Sequence, residues 1–420
     1  MKCCFIGTPQ FLLQDIVNMS CSHVFRTYKT SLFGLNALCR SPTTNILRPI
    51  GYRQLFTPAV LGLDGYQSAR DKIQIQFTNM TGKFQDRMRE VLQSEKNNTI
   101  FTEDLKNAAH LAEAKTEDIE LVLEMAKKFN KQNTGLRFGT FVFGPVVMRM
   151  LHHLECPDIA IEALKSEELD GFFDQLASYQ LALDLLYEKE RYEDVIDVFR
   201  YLQNKRLQGT KYPKNCFTIV IASCYKMNTE ESLQIVLEFV REAEESGISI
   251  NRRCLIFIAA LALRQNHPHV TLEYLAKAKH VFHAAIRNLR ILALVEMSRV
   301  EEALPILRSV VQIDLPDKSR PGKKALILKE TIEAVEAAVK EINDKELIAE
   351  FTHLHRSLVE NHHITEDSLD KYVSQPIDVF RQDDNTQDKA MLAASFNRSN
   401  KNKRRPQRYA QNRKGLMERE

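Results

Sequence analysis

A seventeen-residue helical pattern returns about every 35 residues through the middle of this 420-residue chain. Four copies stand out: Leu151–Glu167 (LHHLECPDIAIEALKSE), Leu186–Leu202 (LYEKERYEDVIDVFRYL), Cys224–Val240 (CYKMNTEESLQIVLEFV) and Leu294–Val310 (LVEMSRVEEALPILRSV). A single helical hairpin cannot bury its apolar stripe, so a repeat of this length implies hairpins stacked into a solenoid. The small or β-branched residue near the start of each second helix falls at Val122, Ala160, Val195, Ser232, Thr271 and Ala303, at intervals of 38, 35, 37, 39 and 32 residues. An aromatic in each first helix falls at Phe143, Tyr179, Phe217 and Phe257, 14 to 17 residues before its partner. Two residue classes in the same order at the same offset are more than generic amphipathicity supplies.

Only 14 Gly and 13 Pro, with long runs of Leu, Ala, Glu and Lys at helical spacing, predict a chain that is mostly helix. The longest apolar run, Cys254–Leu263, has ten residues, against the roughly 20 that span a bilayer. No membrane insertion is expected. A net charge of +3 conceals an uneven distribution. Residues 1–63 carry six Lys or Arg against Asp15 alone, and residues 398–420 carry nine against Glu418 and Glu420. The body between has 43 basic against 52 acidic residues, so it can attract a polyanion only by sorting its cations onto one surface.

The basic N-terminal segment has Ser20, Ser22, Ser31 and Ser41 and lacks a continuous apolar block. That composition predicts a mitochondrial transit peptide rather than a secretory signal, with removal near Arg53 to Leu63. Cys3, Cys4, Cys21 and Cys39 would leave with it, and the remaining Cys156, Cys216, Cys224 and Cys254 show no CxxC spacing. The expected organisation is 1–63 transit peptide and flexible N-terminus, 64–313 repeat solenoid, 321–375 C-terminal capping helices and 376–420 disordered basic tail. Within the solenoid, Thr102 and Thr116 are expected N-caps, Pro157 suits a first helical turn, Asn228 with Glu231 forms a capping box, and Gly247 ends a helix.

No phosphate-binding glycine loop, HExxH or GxSxG motif occurs, so neither catalysis nor a cofactor is expected. His152 with His153, His280 with His283, and His362 with His363 and Glu366 invite a metal reading, but their spacing is that of capping or solvated histidines and no metal is expected. The basic linkers are more informative. Lys205, Arg206, Lys211 and Lys214 fill one inter-repeat segment, and Arg252 with Arg253 opens the next. Equivalent positions of a solenoid lie along one edge, so these residues predict a stripe able to follow a phosphate backbone. The acidic linker Glu167, Glu168, Asp170 and Asp174 provides the contrast. In the tail, basic residues around Tyr409 suit sequence-independent RNA or ribosome binding, with a nuclear localisation signal as the competing reading.

The strings FGPVVMRM (Phe143–Met150), CYKMNTEES (Cys224–Ser232), ALALRQN (Ala260–Asn266) and ITEDSLD (Ile364–Asp370), in this order, resemble a mitochondrial member of the pentatricopeptide repeat family. The resemblance covers about residues 64–375. It implies an all-α, right-handed α-solenoid of pentatricopeptide-type hairpins with capping helices. It also implies a matrix protein that binds mitochondrial RNA in transcript maturation, with an RNA-processing nuclease or the mitochondrial ribosome as partner. A related solenoid, mitochondrial ribosomal small-subunit protein S27, supplies the alternative of a structural ribosomal subunit or adaptor. In the family a polar residue just after the first-helix aromatic reads a base edge. Carried over, the readers are Gln180 after Tyr179 and Thr218 after Phe217, with Asn288 as a third. Gly144 and Ile258 follow Phe143 and Phe257 and have no side chain for such a contact, which implies limited sequence readout combined with backbone recognition.

Overall fold

A computed structural model of the chain describes residues 54–94, 99–135, 141–278, 283–313 and 325–377. They belong to a compact unit spanning Asn45–Glu420; a separate unit, Met1–Thr44, lies outside the described residues. So do the segment up to Arg53, His280, residues 314–324 and the basic segment from 378 onward.

A short helix α1 (Pro58–Leu61) leads into hairpins made of a first helix and a second helix. They are α2 (Leu63–Gln76) with α3 (Thr81–Gln93), α4 (Thr102–Leu111) with α5 (Thr116–Gly135), and α6 (Gly144–His153) with α7 (Pro157–Lys165). Then come α8 (Leu176–Glu188) with α9 (Tyr192–Lys205), α10 (Lys214–Met227) with α11 (Glu230–Glu245), and α12 (Arg252–Arg264) with α13 (Pro268–Ala276). The array ends with α14 (Ala284–Glu296) and α15 (Val300–Ile313), then α16 (Lys329–Ile342) and α17 (Lys345–Glu360). First helices stack in order, α4 on α6, α6 on α8, and on through α10, α12 and α14 to α16. The fold is an all-α helical-repeat solenoid.

The repeat exists because each anchor fills the space between layers. Val122, Ala160, Val195, Ser232, Thr271 and Ala303 are all fully buried, as are Tyr179 and Phe257, with Phe143 and Phe217 nearly so. A hydroxyl is tolerated at two of these sites because it is satisfied locally: Thr271 Oγ1 donates to the Ala259 carbonyl at 3.0 Å, and Ser232 closes a capping box with Thr229. The turn between paired helices repeats as well. Glu155, Glu190, Asn228, Asn266 and Ser298 all take left-handed φ between 52° and 61°. At four of them the next N–H closes back on the helix, as Cys156 N does to Leu151 O and Arg191 N to Leu186 O. Gly144 lacks a side chain for a different reason. A Cβ there would stand 2.7 Å from the Phe172 carbonyl and 2.8 Å from Ser178 Oγ, where the next hairpin packs against α6.

Three local expectations are corrected. Thr102 and Thr116 are the first helical residues rather than caps, and Asp104 accepts the Phe101 N–H. Asn228 is the left-handed C-cap of α10, leaving Thr229 to cap α11 through Ser232. The segment before α16 is a two-residue strand, β1 (Ile327–Leu328), paired in parallel with β2 (Ile364–Thr365) after α17.

Both ends of the described chain lie across the C-terminal halves of the first helices. From the N-terminal side, the Leu61 carbonyl accepts Arg149 Nε of α6 at 2.9 Å and α1 packs on α8. From the other side, α18 (Leu369–Val373) packs on α12 and α14. The two segments meet in a parallel bridge between Phe56 and Ile377, with Thr57 N donating to Ile377 O at 3.0 Å and Ile377 N to Leu55 O at 2.7 Å. Leu55, Phe56, Leu61 and Val373 are buried in the seam they form.

Candidate nucleic-acid interface

The N-terminal ends of α8, α10, α12 and α14 carry the residues that sequence reasoning selected. Gln180 is partly exposed, and its Oε1 accepts Asn215 Nδ2 of the next repeat at 3.0 Å. Thr218 is 2% exposed and fully engaged: Oγ1 donates to Lys214 O at 2.8 Å and accepts Asn251 Nδ2 at 2.8 Å. Asn288 is 1% exposed, with Nδ2 on the Ala284 carbonyl at 2.8 Å and Oδ1 accepting Leu328 N at 2.9 Å. Thr218 and Asn288 therefore offer no base edge in this fold: the first ties two repeats together and the second holds β1. Gln180 alone of the three reaches the surface.

The basic linkers separate into two sets. Lys205 pairs with Asp170 at 2.8 Å and Asp174 at 3.3 Å, and Lys211 with Glu242 at 2.5 Å. Burial opposes the charge of Lys205, but Asp170, Tyr179 and Asp174 outweigh it and push its pKa up. The acidic linker that contrasts with these cations in sequence thus supplies the partners of Lys205 one repeat away, whereas Lys211 is paired by α11. Arg206, Lys214, Arg252 and Arg253 make no ion pair among the described residues. Arg206, in left-handed conformation as the cap of α9, and Lys214 are exposed. Arg253 lies over the Phe257 ring at 5.7 Å with its buried Nε lacking a hydrogen-bond partner. Burial and the neighbouring Arg252 lower its pKa to about 10.

One buried acid–base pair escaped the sequence reading. His152 Nε2 of α6 lies 3.2 Å from Asp184 Oδ2 of α8, at 7% and 0% exposure. With Glu188 they form a group of ligand type and spacing for a metal ion, but His152 and Asp184 already bond each other. Burial would push His152 down; the Asp184 hydrogen bond and charge, with Glu188 and Glu155 nearby, outweigh it and hold the imidazolium above its usual pKa. Burial pushes Asp184 up, and His152 opposes that shift. A histidine pKa raised by folding contributes stability that is complete below about pH 6.5 and is lost as pH rises through the folded value. The melting temperature should therefore fall from pH 6 to pH 9, and His152→Gln should flatten that slope. An equal slope in the variant would assign the pH dependence elsewhere.

No protein-family profile matches the chain. Among curated proteins, it is 30% identical over 274 residues to mouse (Mus musculus) pentatricopeptide repeat-containing protein 2, mitochondrial, covering 65% of this chain and 70% of that one. The chain belongs to the pentatricopeptide repeat-containing protein 2 family. The human (Homo sapiens) protein of that name is 26% identical over 324 residues, covering 77% of this chain and 80% of its own. The Xenopus laevis protein is 28% identical over 257 residues, covering 61% and 66%. Membership accounts for the spacing of the anchors and for a period near 35 residues without the Trp of tetratricopeptide arrays. No described helix is long and apolar enough to cross a membrane.

Proposed function

We propose that this chain is a non-catalytic RNA-binding protein of the mitochondrial matrix that acts in maturation, processing or stability of mitochondrial transcripts, and so in respiratory-chain assembly. The observation that carries the reading is Arg253, partly buried and without an ion-pair partner among the described residues, beside Arg252, with Arg206 and Lys214 on the corresponding edge of the preceding repeat. A partly buried cation without a counter-ion is costly, and a phosphate beside it supplies the opposite charge. The acidic body is no obstacle, because many of its carboxylates are tied to Lys and Arg of the adjoining repeat, as Glu155 is to Lys189 and Glu244 to Lys277. Gln180, held by Asn215, is the proposed base-reading residue beside these cations. The names of the relatives and the acid-free segment Met19–Leu63 support the compartment. An RNA-processing nuclease or the mitochondrial ribosome is the proposed partner.

Replacing Arg206, Lys214, Arg252 and Arg253 by Gln should weaken binding of all RNA sequences alike. Each lost phosphate contact should flatten the slope of log K against log salt by roughly 0.7. Salt-titrated anisotropy on a labelled single strand measures this, and an unchanged slope with unchanged affinity would defeat the reading. A second reading, a structural subunit or adaptor of the mitochondrial ribosome, is favoured by the exposed apolar Ile75, Met80 and Phe101 on the first two hairpins.

A further inference from the structure

The C-terminal ends of α10 and α12 form a second cationic pocket, away from the linker cations. Lys226 and Arg264 are each the thirteenth residue of their helix, so they stand side by side in adjacent repeats. The Arg264 guanidinium lies 4.3 Å over the Tyr225 ring, which leaves the phenol hydroxyl, the ammonium and one guanidinium nitrogen facing a common point. All three are donors. What occupies that point is a carboxylate of the chain itself: Asp370 of α18 accepts Tyr225 Oη at 2.8 Å, Lys226 Nζ at 3.2 Å and Arg264 Nη2 at 3.3 Å. Burial acts against the Asp370 charge, but Tyr225, Lys226 and Arg264 outweigh it and hold its carboxyl below the usual range.

Resting on the RNA-binding reading above, we propose that this pocket is a binding site for one backbone phosphate of single-stranded RNA, and that Asp370 is its internal substitute, which bound RNA displaces. Three features lead there. The set offers three donors, two of them cationic, and no anionic group, so nothing in it favours a carboxylate over a phosphodiester. The occupant is weakly held: Asp370 and Arg264 are 42% and 39% exposed, and partly exposed ion pairs contribute little stability. Finally, α18 is a five-residue helix outside the stacked hairpins, anchored on α12 and α14 through Val373 and joined to the strand at Leu55–Thr57 through Ile377, so its Asp370 end can move without separating two repeats. The same positions of α8 and α14 are Glu188 and Glu296, so the site takes a single phosphate rather than extending into a stripe.

The test uses the full chain and a fluorescein-labelled 20-nucleotide oligo(U). Asp370→Asn, which keeps shape and removes charge, should bind it roughly fivefold more tightly than wild type, because a competitor has been weakened. It should also steepen the salt slope by about 0.7, one phosphate gained in full. In the wild type, saturating oligo(U) should speed amide exchange in Leu369–Val373. Unchanged affinity and slope in Asp370→Asn, or α18 amides that keep their protection while RNA is bound, would overturn the displacement. Should Asp370→Asn fail to fold, exchange on the wild-type protein decides alone. If neither protein binds oligo(U) at any salt concentration, the RNA reading itself falls and this site falls with it.

Discussion

Phe199→Ala should lower stability by about 3–5 kcal/mol, a loss set by a cavity that neighbouring repeats cannot fill. Phe199 of α9 is fully buried, and its ring meets three others: Tyr212 in the following linker at 6.1 Å, Phe217 of α10 at 6.0 Å and Phe239 of α11 at 5.7 Å. These rings come from two successive hairpins, so the residue belongs to an interface between repeats as much as to its own. In a stacked array stability is a sum of repeat terms and nearest-neighbour terms, and losing one central interface weakens the coupling between the halves. Urea unfolding should therefore show a lower midpoint and a broadened or divided transition. A cost below about 1 kcal/mol, or a single transition of unchanged steepness, would mean that α9 and α10 repack around the gap.

What periodicity can reveal is what each repeat must do for its neighbours. Val195, Ser232 and Thr271 were recognisable because a stacked layer admits only a small or β-branched side chain there, and each is buried. Asn228 differs from the true cap of α11 by one residue because Asn suits both an N-cap and a left-handed C-cap; only the φ of 52° distinguishes them. Local spacing also cannot show whether a polar residue after an aromatic points outward. Thr218 is turned inward by Asn251, one repeat later, and Asn288 by Leu328, just before the next hairpin. Likewise Lys205 looked like part of a free stripe until Asp170 and Asp174, 35 and 31 residues earlier, were found beside it. The seam of the two ends is the extreme case. Tyr225 and Asp370 are 145 residues apart, far outside any repeat period.

Phe56→Ala should be nearly as costly, about 3–5 kcal/mol by the same cavity argument, although Phe56 lies outside every repeat. Its side chain is 3% exposed, between Leu55 at 1% and a backbone bridge to Ile377. Losing it should also loosen the far end of the chain, because the N–H and C=O groups at Leu55 and Thr57 are what hold Ile377. Faster amide exchange at Leu369–Val373 in Phe56→Ala would show that coupling, and unchanged exchange there would show that α18 is held by Asp370 and by its packing on α12 and α14 without help from the bridge. This bears on the proposed presequence. Removal anywhere after Leu55 would discard core residues and one partner of the seam, so the mature N-terminus should lie at or before Gln54. N-terminal sequencing of protein recovered from mitochondria decides this. A terminus at Asp64 would mean that the solenoid works with its seam half open and the C-terminal halves of α6 and α8 uncovered.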